Sequence, residues 1–276
     1  RLPHSRRNRH ALWLWKGRGM SNLDVQPGAG PVKTGAGLTQ WERAGNVFVA
    51  PAKTFDDIGR GNRSWWLPFL IVLFFTYILF AAITMKIGWK QVAMTAMANN
   101  PKSLQRLDQL SPEQRDHAMK VIGVTFMELP LAASPALILL GACLISLLLW
   151  GTINFGFGGK ATYLEIFAVN MYAILPRAIV PLMATIAIFA GLAPDSFNIN
   201  NIAATNVAYF LSPQDTGQAL YALLSQIDII NIWVAVLLSL GIARVARKER
   251  SAGFIGVFGW WAVWVLVRVG MGFAAG

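Results

Sequence analysis

The sequence has few charged residues and almost no cysteine. Only 13% of its 276 residues are charged, while 55% are hydrophobic and the mean hydropathy is +0.48; soluble domains carry roughly a quarter charged residues. The single cysteine, Cys143, lies in an apolar run and excludes both an intramolecular disulfide and a thiolate metal cluster. Three scattered histidines, His4, His10 and His117, cannot form a histidine metal site. The composition indicates an integral membrane protein with no metal and no cofactor.

Acidic residues are also scarce, and the formal net charge is +11. The basic residues stand at the ends of apolar segments, where the positive-inside rule places them. A soluble nucleic-acid-binding protein would spread them over a water-facing surface. We therefore exclude nucleic acid as a partner.

Residues 1–40 contain no long apolar run. The stretch before Met20 is basic, has no acidic residue and lacks the apolar core of a signal peptide. Residues 21–38 are rich in glycine, proline and alanine, which is typical of a flexible linker. We predict a disordered basic leader and linker over 1–40. Sequence upstream of a start at Met20, or a transit peptide, are the alternatives for its first part.

Five windows are long and apolar enough for membrane helices, which need about 20 residues. They predict an all-α fold: a polytopic bundle of five transmembrane helices with amphipathic interfacial helices, over residues 41–276. The windows cover about 65–85, 129–150, 172–192, 227–246 and 254–275.

The distribution of lysine and arginine predicts the amino terminus inside and the carboxyl terminus outside. Basic residues precede the first window and fill the turn RVARKER between the fourth and fifth, whereas residues 193–226 have none. The loop of residues 86–128 disagrees, because alternation places its six basic residues outside. That loop also carries acidic residues, and it is long enough to be translocated across the membrane despite its basic residues.

Helix-start patterns outside the windows predict short amphipathic helices. Thr39-Gln-Trp-Glu42 fits a capping box, Pro51 starts a second helix, and Ser111-Pro-Glu-Gln114 starts a third. We expect the first two to lie along the inner membrane surface or on the bundle, or else to form a docking site. A glycine-rich turn at 156–159 precedes a further helix from about Ala161, which we expect at the interface, feeding the third window.

The third window contains a charge between two prolines, Pro176-Arg177 and Pro181. If this helix begins near Tyr172, Arg177 lies about 8 Å inside the membrane and can extend to the headgroups. In the functional interpretation, Arg177 faces the bundle and contacts Glu165, the nearest acidic residue, or an anionic lipid of the inner leaflet, with Pro176 beside it.

The fourth window has small and polar residues at a spacing of four: Asn231, Ala235, Ser239 and Ala243. Small residues let helices approach closely, and asparagine can hydrogen-bond between them. This stripe predicts helix packing, with a polar pathway as the alternative. Asp228 fits the N-cap of the helix.

Several of these features together resemble the Yip family of Ypt/Rab-interacting membrane proteins, in its bacterial form. They are the surface helix PAKTFDDI before a Trp-Trp-Leu-Pro68 entry, the Gly-Gly-Lys160 turn followed by Ala-Ile-Leu-Pro176, and Asp228, Trp233 and Gly241 in the fourth window. The resemblance implies five spans with an inward amino terminus, in the bacterial cytoplasmic membrane. Eukaryotic members act in vesicle trafficking and bind Rab GTPases, but their Asp-Leu-Tyr-Gly-Pro motif is absent, so Rab binding is not implied.

The spans contain no residues that suggest catalysis. None has an acidic residue near its centre, as proton- or ion-coupled transporters usually do, and none contains a histidine. We expect a non-catalytic scaffold or adaptor that organises membrane lipids, a membrane-protein partner or further copies of itself. The alternative is a small transporter or channel that uses the proline-broken third span.

Overall fold

The structure is a computed structural model that describes residues 37–98, 105–107, 109–123, 125 and 128–275. Within these ranges the chain is helical and has no extended strand; one isolated antiparallel bridge pairs Asn206 with Asp228. The α-helices are α1 (Gln40–Val49), α2 (Pro51–Gly59), α3 (Trp66–Ala82), α4 (Trp89–Ala98), α5 (Pro112–Gly123), α6 (Leu129–Gly151), α7 (Tyr163–Ala173), α8 (Ile179–Phe189), α9 (Pro213–Thr216), α10 (Gln218–Gln226), α11 (Ile229–Val245) and α12 (Arg250–Ala275).

The predicted helix starts are confirmed. Thr39 and Glu42 form both bonds of the capping box before α1, and Pro51 is the first residue of α2. Ser111 and Gln114 exchange the equivalent bonds ahead of α5. Most of the predicted leader, 1–36, lies outside the described residues.

Four helical segments of the described chain are long and apolar enough to cross a membrane: Trp66–Ile87, Leu129–Gly156, Tyr163–Phe189 and Arg250–Ala274. Helix α11 is apolar but has only 17 residues, about 25 Å by helix rise, against a hydrocarbon core of about 30 Å. The described chain is therefore a helical bundle with four helical segments long enough to span a membrane and one shorter apolar helix.

The third segment begins nine residues earlier than the sequence predicted. The expected interfacial helix is α7, which continues through a 3-10 turn (Leu175–Ala178) into α8. Thr162 and Glu165 form a capping box at its start, and residues 165–173 are all buried. The interfacial prediction was wrong because α7 packs inside the bundle, where Glu165 accepts from the partly exposed Arg63 and Asn170 donates to the buried Ser146.

The core lies where α7 and α11 pack against each other and against α2. Gly241 is required there, since a Cβ atom would come within 2.4 Å of Val169 and 3.0 Å of Phe55. On the other face of α11, Ser239 and Ala243 lie against Gly253 of α12. The outward surfaces of α6 and α12 expose leucine, valine and tryptophan side chains, as suits a hydrocarbon environment.

The two ends of the bundle differ. At the near end, α1 and α2 lie beside the start of α7 and the turn between α11 and α12, and Arg244 of α11 bonds Asp56 of α2. At the far end, α8 and α12 finish and α11 begins. There α10 packs against the last turns of α12, so closely that a Cβ on Gly272 would lie 2.8 Å from Ala219 Cα.

Candidate functional site

A cavity of about 1040 Å³, lined by apolar side chains and a group of polar ones, occupies the far half of the bundle. Its walls come from α3, α6, α7, α8, α10, α11 and α12, together with residues 198–206. Two arginines, Arg177 and Arg268, and one acidic residue, Asp228, contribute to its lining. Most of the remaining polar lining consists of asparagine, glutamine and hydroxyl side chains, which carry no charge.

Arg177 reaches this cavity because the helix is interrupted beside it. Pro176 has no N–H to continue the α7 ladder, and the chain forms a 3-10 turn before α8. Arg177 is fourteen residues beyond Tyr163 in this segment, about 21 Å by helix rise. The helix start at Tyr172, on which the distance of about 8 Å rested, is therefore wrong. The Arg177 side chain is exposed into the cavity, whereas Pro176 is buried.

A chain of hydrogen bonds connects Arg177 to the start of α11. Arg177 Nε donates to Asn231 Oδ1 at 3.2 Å, and the Asn231 backbone N–H donates to Asp228 Oδ1 at 2.8 Å. The Thr205 hydroxyl donates to the other carboxylate oxygen, Asp228 Oδ2. Asp228 is therefore the N-cap of α11, as predicted, and both its oxygens are already bonded.

Hydrogen-bonding capacity remains free in the cavity. Within the described chain, Arg177 has one hydrogen-bond acceptor, the neutral Asn231, although a guanidinium has five N–H donors. Asn170 donates to Ala142 O and Ser146 Oγ, both at 3.1 Å, but its buried Oδ1 has no partner there. A buried unpaired acceptor costs roughly 1–3 kcal/mol, and this oxygen is enclosed by protein, whereas the unused N–H groups of the exposed Arg177 are open to the cavity.

The sequence-predicted contact residues separate into two places. Glu165 is at the near end, where its Oε1 accepts from Arg63 Nη2 at 2.9 Å. Arg177 instead meets Asn231, which belongs to the stripe predicted for helix packing. Further along that stripe, Ala235, Ser239 and Ala243 are buried. Asn231 thus lies at the cavity, while the other three lie in the packed part of α11.

Sequence reasoning missed a buried charged cluster at the near end. Arg43 of α1 is 1% exposed; its Nε lies 3.6 Å from Asp57 Oδ2, and its Nη1 donates to Asn62 O at 2.6 Å. The guanidinium also lies over the ring of Tyr172 in α7, 4.9 Å from the centroid. The only local signal was a basic residue on the apolar side of an amphipathic helix.

This cluster clamps α1 and α2 to the bundle, and Val47, Phe55 and Ile58 are completely buried beneath them.

The outer side of α1 is exposed. At its start, hydrogen bonds from the Thr39 backbone and hydroxyl lower the pKa of Glu42. Beside α1, an apolar groove of about 390 Å³ runs between α1, α3 and α8. Trp41, 69% exposed, and Phe48, 41% exposed, form one wall of it.

The helical architecture and the match to a protein-family model together define the class of protein. No three histidine, cysteine, aspartate or glutamate side chains of the described residues come together as metal ligands would. The helical bundle is that of an integral membrane protein. The family model for the Yip1 domain matches residues 45–272, and the chain belongs to the Yip1 domain family. No curated protein and no solved structure matches the chain.

Proposed function

We propose that the protein is a non-catalytic membrane scaffold that binds a membrane-protein partner through the groove beside α1. The supporting observation is that α1 and α2 are held on the bundle while α1 exposes large apolar side chains. The Arg43 cluster fixes α1 against the bundle, yet Trp41 and Phe48 keep large exposed apolar surfaces next to α3 and α8.

Rigidity and exposure together favour docking. Binding an already ordered surface costs less conformational entropy than ordering it on contact, and aromatic side chains supply large contact areas at partner interfaces. The groove lies between an amphipathic helix and two membrane helices, which suits a partner helix that enters the membrane there. A second copy of this chain is the other occupant that this geometry accommodates.

Site-specific photocrosslinking tests the proposal. A photoreactive phenylalanine analogue is placed at Trp41 or Phe48 in the groove, and at Leu144 on α6, which is 58% exposed, as a matched control. We expect discrete protein adducts of one mass at both groove positions and lipid adducts alone at Leu144. Lipid adducts at all three positions would contradict a protein-binding groove, and an adduct of twice the chain mass would identify the partner as a second copy.

We further propose five crossings, with the near end in the cytoplasm of a bacterial cell and the carboxyl terminus outside. Helix α11 is the shortest of these crossings. The cavity and α10 lie in the part of the membrane thickness that α11 is too short to cover. The near end gathers Arg63, Arg244, Lys248 and Arg250, which supports this orientation.

Transport is the second candidate, and a specific observation favours it. The α7–α8 break and the start of α11 meet around the cavity, and transporters use broken helices of this kind at their binding sites. Flux in liposomes separates the two functions. Arg177→Ala should abolish flux in a transporter that stays folded, and should leave Trp41 crosslinking unchanged in a scaffold.

A further inference from the structure

We propose that the cavity binds the phosphate ester headgroup of an anionic lipid, with Arg177 and Arg268 as its phosphate-binding residues. This inference goes beyond the scaffold role, since the cavity and the groove beside α1 are separate sites with no lining residue in common. It assigns a ligand to a cavity that packing alone does not explain.

The charges in the cavity favour an anion. Two guanidiniums line it against one carboxylate, Asp228, which keeps its negative charge because its hydrogen-bond donors, Thr205 and the Asn231 N–H, are neutral. The lining therefore has an excess of one positive charge. Arg177 makes one bond, to a neutral amide. A guanidinium in a membrane interior requires an acceptor, and a phosphate offers two oxygens that match its paired N–H donors.

Neighbouring groups fit the rest of a headgroup. Uncharged polar side chains of the same lining, Gln218 and Tyr221 among them, can bond glycerol hydroxyls. The unpaired Oδ1 of Asn170 is enclosed by protein and is not one of these groups.

In this proposal the lipid enters the cavity between α6 and α12. These helices meet at the near end, where Trp260 Nε1 donates to Thr152 Oγ1 at 2.9 Å. Toward the far end they line the same cavity, α6 with Leu137 and Gly141 and α12 with Arg268. The leucine-rich outer surface of α6 would accompany the acyl chains. The leaflet is then the far-end one, opposite the inner leaflet expected from the sequence.

Lipid retention in the purified full-length chain tests this assignment. The protein is placed in nanodiscs of equal amounts of phosphatidylcholine and phosphatidylglycerol, and bound lipids are counted by native mass spectrometry. We expect wild type to retain phosphatidylglycerol in preference, and Arg177→Gln and Arg268→Gln each to reduce that preference by about tenfold, since each removes charge-assisted bonds. Lys90→Gln removes an exposed far-end cation outside the cavity and should change nothing.

The controls separate the sources of phosphate and the effects of misfolding. Arg268 is exposed, so its substitution leaves the packing intact, and Arg177→Lys should restore part of the preference. Inorganic phosphate is titrated into nanodiscs of phosphatidylcholine alone, with thermal stability as the readout. Stabilisation by inorganic phosphate without phosphatidylglycerol enrichment would overturn the lipid as the source. Equal retention of both lipids by wild type and both glutamine variants would overturn the site, while Trp41 crosslinking would be unaffected.

Discussion

Single glycines determine how closely the helices of this bundle approach. Gly253 of α12 lies against α11, and a Cβ added there would be 2.1 Å from the Ser239 carbonyl oxygen and 3.0 Å from Ala243 Cβ. Gly259, on the same helix, has nothing within 4 Å of the equivalent position.

We predict that Gly253→Ala destabilises the protein by about 1–3 kcal/mol, because the two helix backbones must separate. Gly259→Ala should be neutral or slightly stabilising, since alanine favours a helix by up to about 1 kcal/mol over glycine. Thermal unfolding in detergent measures both. Equal melting temperatures for the two variants would contradict the α11–α12 packing.

Arg177 shows how far the local sequence predicts the position and the contacts of a single residue. A charge between two prolines was conspicuous, and one of the two interpretations was that Arg177 faces the bundle and contacts an acidic residue or an anionic lipid. Its depth was misjudged because Glu165 and Asn170 looked interfacial. Their partners, Arg63 and Ser146, are 102 and 24 residues distant in sequence, and no local pattern contains such pairings.

One buried ion pair joins α1 to α2 and adds to the contacts that hold the two helices on the bundle. Arg43 and Asp57 are both nearly inaccessible, and Asp57 also accepts from Leu38 N and Asn62 Nδ2. Losing one member leaves an uncompensated buried charge, which typically costs about 3–5 kcal/mol.

We predict that Arg43→Met releases α1 and α2 from the bundle and exposes them to protease, whereas Arg60→Met, at an exposed position, does not. The double variant Arg43→Met with Asp57→Asn should recover part of the loss, because no unpaired charge remains. Limited proteolysis and thermal unfolding measure the effect. Equal protease resistance of Arg43→Met and wild type would contradict the clamp.

Helix boundaries were predictable where the starting signals are local. The capping boxes at Thr39 and Ser111 and the proline at 51 all mark helix starts correctly. The fourth window was predicted as a span of full length, but α11 starts only at Ile229. The sequence had already indicated Asp228 as the cap of this helix. What local sequence could not predict is that Thr205, from a loop 23 residues earlier, bonds the same carboxylate, and that Asn206 pairs with Asp228.

The molecule has an apolar outer surface, and at its far end it encloses a cavity that several polar side chains line. Composition alone predicted a helical membrane protein, and the order of weak motifs predicted the Yip family, to which the chain belongs. The cavity was not predictable, because its lining comes from seven helices and a loop whose proximity depends on packing. Its central feature is an arginine that is deep in the bundle and still accessible.

The most direct test of this account is the accessibility of position 177 from the far side. In a Cys143→Ala background, single cysteines at Arg177, at Ser196 in the far-end loop, and at Glu249 in the near-end turn are treated in intact cells with a small impermeant thiol reagent. We expect labelling at 196 and at 177, and protection at 249. Protection of 177 while 196 reacts would contradict an open cavity around Arg177, and labelling at 249 alone would reverse the proposed orientation.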